Sequence, residues 1–127
     1  MIFLLLAAAG RLAGPFPYFA GLGDMLTGAI AIPLALGIAR TGYVPVTAVR
    51  AWNLLGIVDL ILAVTLGITS APGSPLQLIH AGVGSTAVQY MPYSLIPTVL
   101  VPFFLITHGT VAAQLSAHRA AAVLSHA

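Results

Sequence analysis

Three stretches of roughly twenty apolar residues, interrupted by almost no charge, constrain this chain more than any other feature. They run over 18–39, 46–69 and 93–115, and each is ended by charge, proline or a polar loop containing glycine. A hydrocarbon core about 30 Å thick needs about 20 apolar residues at 1.5 Å per residue, so each stretch is long enough to cross a bilayer as a helix. The rest of the composition agrees. Of 127 residues, 60% are hydrophobic and 5% charged, against about 25% charged in a soluble domain. The expected fold is an all-α membrane bundle forming a single domain over 1–127.

A fourth apolar stretch, 2–13, rises only about 18 Å as a helix before Gly14, Pro15 and Pro17 stop it. It reads as a short or truncated first helix. An apolar run followed by small residues also suggests a signal peptide, but no basic residue precedes the run and Arg11 lies on its far side. The final residues, 116–127, lose apolar periodicity and read as a fraying tail or a short cytoplasmic helix.

Charge placement gives an orientation. Arg40 and Arg50 flank the loop between the first two spans, and Arg119 follows the last, while 71–92 holds no basic residue. The positive-inside rule then puts the 40–50 loop and the C-terminus in the cytoplasm of a cell-membrane protein. The segment 71–92 becomes external, with a short interfacial helix expected around 76–81. Trp52 and Tyr43 fall at the inner boundary, and Tyr18, Tyr90 and Tyr93 at the outer one, as in an aromatic belt.

Several function classes drop out. Four arginines, no lysine and a net charge of +2 make no basic patch for nucleic acid. With no cysteine there are no disulfides and no thiolate metal sites. No metal site or cofactor is expected. His118 and His126 read as solvated tail residues, and His80 and His108 lie at opposite sides of the membrane, which argues against a haem between them. The glycines of "GLGD" open a span rather than follow a strand, so they make no phosphate loop, and no serine nucleophile has a base in sight. No catalytic residue is assigned and no enzyme is expected.

What remains is a polar constellation inside the spans. At helical spacing Gly21, Asp24, Gly28, Ala31 and Ala35 share one face of the first span. Asn53, Gly56, Asp59, Ala63 and Gly67 share one face of the second. Helices in lipid associate where small side chains let backbones approach, so both stripes read as contact faces. A charged carboxylate facing hydrocarbon costs at least about 2.5–3.5 kcal/mol, so Asp24 and Asp59 are expected to point into the bundle. From the outer boundary Asp24 lies roughly 9 Å deep and Asp59 roughly 15 Å.

Arg11 is the cation on that side and the expected counter-ion of Asp24. Asp59 has no evident cation, and is the better candidate for a carboxylic acid that is protonated at neutral pH or that binds and releases a proton or cation. In the last span Pro97 and Pro102 each remove a helical hydrogen bond, freeing carbonyls near residues 93 and 98, and predict a kink. His108, about 22 Å deep, is level with Asn53, and the two are expected to hydrogen-bond.

"AGLGD" at 20–24, "RAWNLLGIVDLILAV" at 50–64 and "MPYSLIPTVLVPFFLITH" at 91–108 together resemble an uncharacterised group of small bacterial multi-pass membrane proteins. The resemblance covers residues 10–115 and implies a compact helical bundle marked at Asp24, Trp52, Asn53, Asp59, Pro97, Pro102 and His108. It implies no activity. Three readings stand: a transporter-like or ion-coupled protein with a polar site at Asp59, Asp24 and Arg11; a non-catalytic assembly subunit; and a membrane enzyme or redox subunit using His108 and the aspartates. The partners expected are the lipid bilayer, further copies of the chain or partner membrane subunits, and an unidentified small molecule or ion.

Overall fold

The computed structural model describes residues 1–124, with side chains through residue 117. Within them the chain is helical, in the order α1 (Ile2–Ala8), α2 (Phe16–Thr41), α3 (Val46–Thr69), a 3₁₀ turn (Thr86–Gln89), a π-helical segment (Ile96–Leu100) and α4 (Val101–Leu124). Three helical stretches, Phe16–Thr41, Val46–Thr69 and Ile96–Ala117, are long and apolar enough to cross a membrane. With the short N-terminal helix they make an all-α membrane bundle. Much of its surface is exposed Leu, Ile, Val and Phe, which suits lipid and not water.

Local chemistry sets the boundaries. The first helix stops at Ala8, earlier than the run 2–13, because Gly10 takes a left-handed φ of 69°. The Gly10 N–H then donates to the Ala7 carbonyl and the Arg11 N–H to the Leu6 carbonyl, the pattern of a Schellman C-terminus. Pro15 and Pro17 open α2 where missing N–H groups cost nothing. Gly42, with φ 66°, closes α2 by donating to Ile38.

The segment expected to carry a helix at 76–81 has none. Pro72, Gly73 and Pro75 deny it regular hydrogen bonds, and Gly73, Gly82 and Gly84 all have positive φ. The one helical turn of this segment comes later, at Thr86–Gln89. Its backbone instead serves the end of α3, whose last carbonyls have no helical partner. Leu78 and Ile79 N–H groups donate to Thr69, Ser85 N–H donates to the Ser70 carbonyl, and the Ser85 hydroxyl donates to the Gly67 carbonyl over 2.7 Å. The Ala13 N–H donates to Gly84, joining the α1–α2 turn to the same cap.

The core lies at this capped end. Phe3, Leu6, Leu12, Phe16, Ala20, Ala87 and Val88 form a buried cluster, with Ala63, Leu66, Tyr93 and Ile96 packed against it. The tail expectation also changes, since α4 runs without a break to Leu124. The side chain of His118, and His126 altogether, lie outside the described residues.

Candidate functional site

Two polar centres sit inside the bundle, both organised by α3. The stripe read on α3 is its contact face: Asn53, Gly56 and Asp59 are all buried, and Phe16 packs against Gly67. The α2 stripe is only partly one. Gly21 is buried under the Leu4 side chain of α1, but nothing approaches Gly28 within 4 Å. The glycine of α2 that matters most is Gly23, on an adjacent face. A Cβ there would fall on the Asp59 carboxylate, so only glycine lets α3 seat that acid against the α2 backbone.

Asp59 is 8% exposed and takes part in no hydrogen bond or ion pair among the described residues. Asp24 follows Gly23 in sequence, so it lies on α2 next to the point where Asp59 meets that helix. Asp24 itself is not buried as expected. It lines a side cavity of about 420 Å³ walled by α1, the start of α2, the second half of α3, the 3₁₀ turn and the π-helical segment. α1 covers Gly21, one turn earlier, and the side chains of Leu60, Leu100 and Phe104 face the space beyond it.

The expected ion pair with Arg11 does not form. The Arg11 guanidinium stands 5.5 Å from the centre of the Tyr93 ring, within cation–π range. The physical reason is the early stop of α1, which turns Arg11 back through the Schellman bond to Leu6 and leaves it exposed.

The second centre lies nearer the Arg40–Arg50 loop. His108 Nδ1 and Asn53 Oδ1 are 2.8 Å apart, and since an amide oxygen only accepts, the imidazole N–H donates. The two residues are 7% and 4% exposed. A Cβ at Gly56 would meet the His108 ring, so this glycine is what lets α4 close on α3. Trp52 packs against His108 with ring centres 5.2 Å apart. Its indole N–H donates to the Thr27 carbonyl over 3.0 Å, tying in α2. Trp52, six residues into α3, therefore ties α2, α3 and α4 together through these two contacts. Tyr43, Tyr18 and Tyr90 are exposed.

The break expected from Pro97 and Pro102 takes the form of the π-helical segment Ile96–Leu100. The Tyr93 carbonyl freed by Pro97 accepts from the Ile96 N–H over 3.1 Å, and the Ser94 carbonyl accepts both the N–H and the hydroxyl of Thr98. Pro97 and Leu100 both line the cavity, so the irregular helix forms one of its walls. His80 is exposed in the 71–85 segment. Among the described residues no group of three His, Asp or Glu side chains could hold a metal ion.

A family model described as a domain of unknown function, DUF8737, matches residues 1–116. The chain belongs to that family. Neither curated proteins nor solved structures give a match. The DUF8737 match takes in both carboxylates, the cavity and the Asn53–His108 centre, and stops just after Leu115, the last buried residue among those described in α4.

Proposed function

We propose that this DUF8737 protein is transporter-like, and that it binds a proton or small cation at Asp59 and Asp24 and passes it between the cavity and the other end of the bundle. One observation carries the reading: Asp59, 8% exposed as a residue, rests its carboxylate on Gly23 with no donor or cation among the described residues. An acid used only to hold helices together would be expected to find a donor across the interface, as Asn53 does. An intramembrane carboxylate without one is a functional candidate by default. The side cavity and the π-helical wall supply the irregular, cavity-lining backbone that such sites use.

The cavity end faces outward and the Arg40–Arg50 loop inward if the arginine bias sets orientation. The test is flux. Purified protein in liposomes is given a pH or cation gradient, and wild type is compared with Asp59→Asn. Flux lost in the variant while thermal stability in detergent stays within about 1 kcal/mol supports the site. Equal flux in both proteins removes it.

A further inference from the structure

The geometry points to a ligand class for the cavity: a lipophilic monovalent cation, an alkylammonium in chemistry, with its charged head at Asp24 and its apolar body along the walls. This rests on the carboxylate-site reading above and narrows it. The lining of the cavity, about 420 Å³ in volume, includes Phe3, Phe16, Val64, Val88 and Leu100, all apolar. Its polar groups are few and separated. Ser85 and Gln89 belong to the capped end, and Ser85 already spends its hydroxyl on the Gly67 carbonyl. Asp24 is the single ionisable side chain among the lining residues.

Polarity runs in an unusual direction. Asp24 is eight residues into α2, about 12 Å along the helix from its start; the residue is itself exposed, and the cavity lining between its level and the capped end is apolar apart from Ser85 and Gln89. An outer-leaflet phospholipid has the opposite layout, with its head at the boundary and its tails deep, and would place methylenes against the carboxylate. A bare divalent cation held within the cavity would find a single lining carboxylate, Asp24, whereas hard divalent cations take six or more oxygen ligands. A soft organic cation needs no such shell. Its alkyl body gains burial against the walls, and its head group meets the unpaired carboxylate.

The test is photolabelling in phosphatidylcholine nanodiscs with three probes of one alkyl length, each carrying a diazirine near the head: a trimethylammonium, a sulfate and an uncharged glycoside. The trimethylammonium probe is expected to label Val64, Leu100 or Phe104 saturably, and about tenfold more than either of the others, the discrimination expected of one charge-assisted contact. Asp24→Asn should remove that preference. Leu100→Trp, which fills the cavity and leaves both carboxylates in place, should remove saturable labelling for every probe. Equal labelling by the three probes, or an undiminished preference in Asp24→Asn, overturns the proposal. If charge selectivity is absent while Asp59→Asn still abolishes flux, the ligand class falls and the carboxylate site stands. If flux is also unaffected, both fall.

Discussion

Three glycines decide where side chains can go, and each has an assigned occupant: Leu4 at Gly21, the Asp59 carboxylate at Gly23, the His108 imidazole at Gly56. Adding one methyl at Gly56 forces the ring off Asn53 and pushes α4 away. Overpacking of this kind costs about 1–3 kcal/mol, so Gly56→Ala is expected to lower stability by that amount in a denaturation series in mixed micelles. The Asn53–His108 bond itself is worth less, because unfolded helices in lipid also find polar partners. A double-mutant cycle with Asn53→Ala and His108→Ala should give a coupling of about 0.6–1.7 kcal/mol; a value near zero would remove the bond from the account. At Gly23 the effect differs in kind. Gly23→Ala displaces the Asp59 carboxylate, so flux is expected to fall at least as far as it does in Asp59→Asn. The inward placement of Asn53, Asp59 and His108 was legible from depth and helical spacing. That of Gly23 was not, because it lies off the stripe defined by Gly21 and Asp24, and only the approach of a second helix picks it out.

The helices behave as their termini instruct. The sequence reading found all three spans to within a few residues at most ends, because long apolar runs leave few alternatives. It overextended α1, where Gly10 ends the helix by turning left-handed, and it lost Arg11 as a partner for Asp24 through the same error. It also expected a helix at 76–81, in a segment whose backbone hydrogen bonds go to the orphan carbonyls of α3 instead. That exchange is long-range and leaves no periodicity to read. Gly84 is its tightest point: φ is 51°, and a Cβ would strike the Ser70 carbonyl. Gly84→Ala is expected to cost about 1–3 kcal/mol and to raise hydrogen exchange of the Leu78 and Ile79 amides before that of α3. Several hydroxyls along the spans follow a simpler rule, from which the buried, unpartnered Thr27 Oγ1 departs. Thr65, Thr69, Thr107 and Thr110 each donate to the carbonyl four residues back, which satisfies them within their own helix where lipid offers no partner.

At the scale of the whole molecule, packing is uneven by design of the chain. The apolar core and the cap occupy one end, the Trp52–Asn53–His108 centre ties the other, and the unpartnered acid lies between them. Orientation is testable directly, since the chain has no cysteine. A cysteine at Ser74 should react with an impermeant maleimide only from outside, and one at Gly42 only from the cytoplasm. The central claim is that Asp59 exchanges a proton or cation rather than fastening α3 to α2. Difference infrared spectroscopy of the protein in lipid reads it most directly, by following carboxyl bands while pH is stepped and comparing wild type, Asp24→Asn and Asp59→Asn. The account predicts a pH-dependent carboxyl band that remains in Asp24→Asn and is the part of the wild-type signal missing in Asp59→Asn, with amide bands of the helices unchanged. A carboxyl signal that does not respond to pH in wild type, together with loss of helical packing in Asp59→Asn, would contradict it.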